Sequence, residues 1–173
     1  MESTLDRELI SFSNRKLEQL VSRIEHCLGR LNEEQIWARG GENENAVGNL
    51  VLHLSGNVRQ WIVSGIGSAP DTRQRDTEFD ARTGISATEL AARLRATVTE
   101  ATTVIEALTP ERLLNRIAVQ NYDVSVAEAV LHVVEHFSMH TGQILFITKM
   151  LTGADLGFYR HLRSAAPQTE PVP

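Results

Sequence analysis

The chain has a single cysteine and no long hydrophobic run, and each shortage excludes a class of protein. Its 173 residues include one cysteine, Cys27, which has no partner for an internal disulfide and indicates a reducing, cytoplasmic compartment. No window of about 18 residues is both uncharged and apolar, so we expect no membrane-spanning helix and no membrane partner. The first ten residues lack an apolar segment, so we expect no signal peptide.

Basic residues are also in short supply. The chain carries 22 acidic and 17 basic residues, a formal net charge of -5, without a block of like charges. Proteins that bind the phosphate backbone normally present a basic face, so nucleic acid is not an expected partner. The hydrophobic share of 42% is ordinary for a globular protein. We predict one domain over residues 1–164 and a flexible, proline-rich tail over 165–173.

Apolar residues at helical spacing predict four long helices and an all-α four-helix bundle. The predicted helices cover about residues 4–28, 45–64, 86–108 and 125–151. Capping boxes that begin at Ser86 and Ser125 open the third and fourth helices. Residues 66–85 are polar and aperiodic, which predicts a long connection. Residues 117–124 are predicted as an irregular or extended link, and no stretch has the pattern of a credible strand.

Histidines are the most informative residues. Three of the six, His132, His136 and His140, follow one another at steps of four in the fourth helix and therefore share one face. The pair His136 and His140 has the spacing that lets two imidazoles bind one metal ion. His53, within an apolar run of the second helix, is the predicted third ligand, because antiparallel packing with level ends would bring all three rings to one height.

A three-histidine site leaves a position open on a zinc, nickel or iron ion. Water or a thiolate can bind there and lose its proton near neutral pH. The role of His132 stays open between a pocket residue, a further ligand and a surface residue. Asn49 and Asn57 lie one turn on either side of His53 and are either solvated or partners of the ligands.

A competing pattern spans His132, Glu135 and His136, which fit H-x-x-E-H, the inverted zinc-protease signature. The small chain and the scarcity of carboxylates after His140 disfavour a protease. Cys27 lies among apolar residues and is predicted as a core residue. Both tryptophans, Trp37 and Trp61, are predicted to pack. The mixed charges of residues 71–82 are predicted to form a surface network.

Two segments together resemble the DinB-like (YfiT-like) superfamily of metal-binding helix bundles, in one of its uncharacterised small-protein branches. They are NLVLHL, which contains His53, and HVVEHFSMHTGQI, which contains His136 and His140. The resemblance covers roughly residues 5–160. It implies an up-down-down-up bundle with a long crossover between helices two and three, a homodimer, and a divalent metal held by His53, His136 and His140.

The better-known members that the chain resembles are thiol-dependent enzymes, in which a low-molecular-weight thiol such as bacillithiol or mycothiol binds the metal. Two functions follow as expectations. The first is a metal-dependent enzyme, a thiol S-transferase or a hydrolase, that acts on a small-molecule substrate. The second is a non-catalytic, dimeric helix-bundle binding module with a structural or vestigial metal site. No residue identifies the metal, the thiol or the substrate, and no catalytic residue beyond the ligands is assigned.

Overall fold

The computed structural model describes residues 4–160, and the predicted tail over 165–173 lies outside these described residues. The elements follow in chain order: α1 (Leu5–Leu28), α2 (Glu33–Trp37), α3 (Val47–Val58), a π-helical segment (Arg59–Ile66), α4 (Arg75–Asp80), α5 (Ala87–Glu106), α6 (Pro110–Leu114), β1 (Arg116–Val119), β2 (Tyr122–Ser125) and α7 (Val126–Thr152). The prediction of a four-helix bundle is confirmed, since α1, α3 with its π-helical extension, α5 and α7 pack around one apolar core.

Side-chain contacts reveal the direction of α1 relative to α5. The Asn14 amide, early in α1, donates to the carbonyl of Thr102, late in α5, at 3.2 Å. Arg95, early in α5, donates to Glu25, late in α1, at 2.9 Å. The two helices are therefore antiparallel.

Contacts of α3 relate it to the two remaining long helices. His53 meets His140, and Trp61 meets His132 farther along, so α3 and α7 are antiparallel. Arg59 pairs with Glu100 at 2.7 Å, and Gly67 lies against Val104, so α3 and α5 run in the same direction. Because α1 opposes α5 and α3 opposes α7, the long helices run up, down, down and up.

Local sequence explains where α7 begins and ends. The Ser125 hydroxyl accepts the amide of Glu128 at 3.2 Å, and the Glu128 carboxylate accepts the amide of Ser125 at 2.6 Å. The helix ends at Gly153, whose φ of 64° is the left-handed conformation that favours glycine. α7 is therefore one uninterrupted helix, and it carries His132, His136 and His140.

The structure contains the five-residue helix α2, which the sequence analysis did not predict, and it differs from the prediction in three further features. The extended link is a hairpin, β1 paired antiparallel with β2, so the absence of any strand was a wrong prediction. The long connection includes the six-residue helix α4. The second predicted helix changes from α to π at Arg59. Strands of four residues and single helical turns leave too little periodicity to be recognised in a sequence.

No helix within residues 4–160 combines the length and the apolar character needed to cross a bilayer. This agrees with the expectation from the hydropathy of the sequence.

Candidate metal centre

Three histidines from two helices converge between α3 and α7. The possible ligand atoms of His53, His136 and His140 all lie within 4.8 Å of one another. The Nε2 atoms of His53 and His136 are 3.0 Å apart, and the rings of His136 and His140 are 4.4 Å apart at their centroids. His53 is buried and the other two are half-buried. The three predicted ligands are thus the three residues that the structure brings together.

The outer nitrogen of His53 is held by a buried ion pair. Nδ1 lies 3.1 Å from Oε2 of Glu78, a residue of α4. The Arg73 guanidinium donates to both carboxylate oxygens, at 2.7 and 2.8 Å, and its Nη2 is also 3.1 Å from His53 Nδ1. Because an ionised carboxylate can only accept, a hydrogen bond between His53 and Glu78 requires His53 to donate its Nδ1–H. This tautomer leaves Nε2 free to bind a metal.

Arg73 and Glu78 are the residues that the sequence reasoning missed. Both were predicted to belong to a surface network, but their side chains are only 5% and 9% exposed, so that prediction was wrong for this pair. Burial works against ionisation of Glu78, but hydrogen bonds from Arg73 and then His53 outweigh it and lower the pKa of the carboxyl. A buried ion pair therefore supports His53 from the crossover between α3 and α5.

Gly56 provides the space for this pair. A Cβ at this position would lie 1.9 Å from Oε1 of Glu78 and 2.8 Å from Nε of Arg73. Any other residue would push the ion pair away from α3. The glycine lies one turn after His53 on the same side of α3. Because it has no side chain, Arg73 and Glu78 can reach His53.

Asn49 ties the crossover to the start of α3. The buried amide donates to the carbonyl oxygens of Glu78 and Ala81 at 2.9 Å each. Its oxygen accepts from Ala46 N–H at 3.1 Å and from Arg39 at 2.7 Å. None of these hydrogen bonds goes to a histidine; they anchor the backbone of Glu78, which in turn contacts His53.

The other two predicted ligands are His136 and His140, and they lie in different surroundings. His140 Nδ1 lies 2.6 Å from the Gln143 side-chain oxygen, one turn later in α7, so this nitrogen carries the proton and Nε2 is free. For His136, burial and then the neighbouring His140, His53, His132 and Arg73 lower the pKa to about 4. Burial also lowers the pKa of His140. Both rings are therefore neutral near pH 7, the form that binds metals.

The donor set fits a divalent transition-metal ion. Imidazole nitrogen suits zinc, nickel and iron. Two nitrogens bound to one zinc ion lie about 3.3 Å apart, because each bond is about 2.0 Å and the angle is tetrahedral. The 3.0 Å between the Nε2 atoms of His53 and His136 requires only a small separation of the rings. Three histidines would leave at least one coordination position open.

The remaining candidates lie around this cluster. His132 stacks between Trp61, at 4.1 Å between centroids, and His136, at 5.6 Å. Asn57 is buried on α3, and its oxygen makes no hydrogen bond with any residue in 4–160. Glu135 is exposed and lines the groove between α7 and α1, so its carboxylate is not part of the cluster of His53, His136 and His140. The prediction of a buried Cys27 is confirmed.

Solved structures place the fold among the DinB-like helix bundles. The chain is similar to a DinB-like protein, YjoA, from Bacillus subtilis, with a TM-score of 0.65 and 15% identity over 85% of this chain and 96% of that chain. It is similar to a DinB-like protein from Bacillus cereus, with a TM-score of 0.66 and 16% identity over 90% and 97%. A conserved protein from Enterococcus faecalis has a TM-score of 0.68 and 16% identity over 83% and 97%.

The family is defined by sequence. Residues 5–162 match the family described as Protein of unknown function (DUF1572), and the chain belongs to this family. No curated protein matches the chain. The resemblance to an uncharacterised DinB-like branch is confirmed by the fold and the family together.

Proposed function

We propose that the protein is a divalent-metal-dependent enzyme whose ion is held by His53, His136 and His140. The observation that carries this proposal is the orientation of the rings. Nδ1 of His53 faces Glu78 and Nδ1 of His140 faces Gln143, while Nε2 of His53 faces His136. A carboxylate or amide partner on the outer nitrogen is the usual support of a metal-binding histidine.

The proposed activity is transfer of a low-molecular-weight thiol to a small-molecule electrophile, or hydrolysis. When bound, a zinc, nickel or iron ion would supply Lewis acidity that lowers the pKa of a thiol or water at its open position. The chain supplies three imidazoles, and contacts on the outer nitrogens of His53 and His140 fix two of their tautomers. Its own thiol is unsuited to the reaction, because Cys27 is fully buried and burial raises its pKa. The thiol would therefore come from a cosubstrate.

The decisive experiment is metal analysis of untagged protein by mass spectrometry. We expect one ion per chain in the wild type and none in His53→Ala or His136→Ala. His26→Ala is the matched control, because His26 lies on α1 beside Phe158 and should leave the ion in place. Failure of the wild type to bind zinc, nickel or iron(II) would overturn the proposal.

Removal of the metal by a chelator distinguishes the proposed enzyme from the alternative function, a non-catalytic module with a structural metal. An open catalytic site should release its ion with a modest loss of stability. A structural ion would contribute several kcal/mol to folding, and a loss of this size would overturn the catalytic assignment.

We further infer a cytoplasmic homodimer that forms through the groove between α1 and α7. The compartment is supported by the lone, unpaired cysteine. The groove exposes Phe12, Leu131 and Met139, and it also contains Lys16 and Glu135. A two-fold contact could pair the lysine of one copy with the glutamate of the other.

Sedimentation should show that the wild type is a dimer. Met139→Lys, within the groove, should dissociate the dimer, whereas Met150→Lys, outside the groove, should not. A monomeric wild type would refute the dimer.

A further inference from the structure

An open cavity lies between the C-terminal part of α7 and the loop of residues 38–45. Its volume is about 640 Å³, which is within the range of small-molecule sites. The α7 wall contains Gln143, Phe146, Ile147 and Met150, and Leu50 of α3 also lines the cavity. The cavity therefore has space for a ligand of ordinary metabolite size.

The α7 wall is apolar although solvent reaches it. Phe146 and Met150 lie one turn apart and are 65% and 69% exposed. Leu50 and Ile147 add further apolar surface to the lining. Large apolar side chains gathered on one concave surface are typical of a binding site, because a ligand that covers them removes apolar area from water.

Hydrogen bonds hold the opposite wall in place. Arg39 donates to the Asn49 side-chain oxygen at 2.7 Å and to the carbonyl of Phe79 at 2.8 Å. The Gln35 amide donates to the carbonyl of Leu151 at 3.3 Å, which ties α2 to the end of α7. The cavity is therefore formed before a ligand binds, so binding orders few protein groups.

One end of the cavity lies next to the proposed metal site. Gln143 lines the cavity, and its side-chain oxygen lies 2.6 Å from His140 Nδ1. On α3, Leu50 precedes His53 by three residues, about one turn. From Gln143 the lining continues along α7 to Met150, a length of about 10 Å.

We propose that this cavity binds a neutral, apolar part of the molecule that reacts at the metal, an alkyl or aryl chain. This inference rests on the proposed metal-dependent function and specifies its substrate class. The two charged residues of the lining, Arg39 and Glu44, have opposite signs, and the Glu44 carboxylate accepts the amide of Gly40 at 2.8 Å. The lining therefore selects for apolar contact and not for a charge. A chain against Phe146 and Met150 would extend away from the histidines.

The first measurement is a titration of the protein, as purified, with N-phenyl-1-naphthylamine, a neutral dye that fluoresces in apolar surroundings. We expect saturable binding of one dye per chain. Phe146→Ser and Met150→Ser should each weaken it by about tenfold, because each removes apolar contact area. Leu114→Ser is the matched control, since Leu114 is 78% exposed but lies on α6. Absence of binding, or equal affinities in all three variants, would overturn the proposal.

The second measurement tests whether the occupant is the molecule that binds the metal. Ethanethiol, butanethiol and hexanethiol have nearly the same acidity and differ in chain length. Their dissociation constants for the cobalt(II)-loaded protein are read from the cobalt absorption bands. We expect the constant to fall by about two- to fourfold per added methylene in the wild type and in Leu114→Ser. The decrease should be smaller in Phe146→Ser and Met150→Ser.

The two proposals fail in different ways. Thiols that bind cobalt with an affinity independent of chain length would overturn the assignment of the cavity and leave the metal proposal standing. Failure of the wild type to take up cobalt would instead overturn the metal proposal itself.

Discussion

Glu78 supports His53 from 25 residues farther along the chain, with Oε2 lying 3.1 Å from Nδ1. The carboxylate belongs to the crossover, and the imidazole belongs to α3. The crossover therefore does more than connect two helices. It supplies the acceptor that orients one of the three proposed ligands, and it brings Arg73 to balance the buried charge.

The first prediction concerns this carboxylate. We expect Glu78→Gln to weaken zinc binding by about 10- to 100-fold, because the neutral amide is a poorer acceptor for the His53 N–H. The affinity is measured by competition with a chromophoric chelator, at a temperature at which the variant is folded. Glu25→Gln is the control, because it also removes a carboxylate partner of an arginine, Arg95, but far from the histidines.

Loss of the Glu78 charge also leaves Arg73 buried without compensation. The double variant Arg73→Met/Glu78→Gln removes this problem and should recover stability but not zinc affinity. If the double variant bound zinc as tightly as the wild type, the orienting role of Glu78 would be refuted.

The second prediction tests the clearance at Gly56. Gly56→Ala should lower the free energy of unfolding by about 1 to 3 kcal/mol, since the new methyl group would overlap the Glu78 carboxylate. Gly142→Ala is a matched helical substitution, in α7, with nothing within 4 Å of the added Cβ. It should raise stability by about 0.5 to 1 kcal/mol through helix propensity alone. Urea denaturation measures the free energy of unfolding of both variants. Equal changes in the two variants would contradict an overlap between the new methyl group and Glu78.

The third prediction is a pH dependence of the metal-free protein. The pKa of His136 is about 4 in the folded state, against 6.5 for an ordinary histidine. Between these values the unfolded chain binds a proton that the folded chain does not, so stability falls as the pH drops from about 6.5 to about 4. His136 by itself contributes at most about 1.4 kcal/mol per pH unit, because it takes up a single proton.

Urea denaturation in the presence of a chelator measures this slope. The charged and titratable groups that act on His136 are His53, His132, His140 and Arg73. His136→Gln should flatten the profile, because it removes the group with the most strongly lowered pKa. A slope that persists unchanged in this variant would show that other groups cause it.

The fourth prediction concerns Cys27. Its thiol is fully buried, and burial raises its pKa, so the native protein should react with a disulfide reagent far more slowly than a free thiol does. One equivalent should react at once in denaturant. Rapid reaction of the native protein would contradict the view that any reacting thiol comes from a cosubstrate.

The sequence determined the long helices, because their signals are local. The capping boxes at Ser86 and Ser125 and the stop at Gly153 act through neighbouring backbone groups, and each is present in the structure. The spacing of His136 and His140 also suffices to put both rings on one face of α7. His53 could be chosen as their partner because it stands alone as a histidine in an apolar run of the second helix.

The surroundings of these rings depend on tertiary contacts that no local pattern predicts. Arg73 and Glu78 lie in a segment whose composition is that of a solvated surface, and their burial follows from the path of the crossover over Gly56. Oδ1 of Asn57 and Nε1 of Trp61, which are buried and make no hydrogen bond within residues 4–160, are likewise a property of the packed interior. Local periodicity fixes which face of a helix a residue occupies, but burial and hydrogen-bond partners depend on contacts between residues distant in the chain.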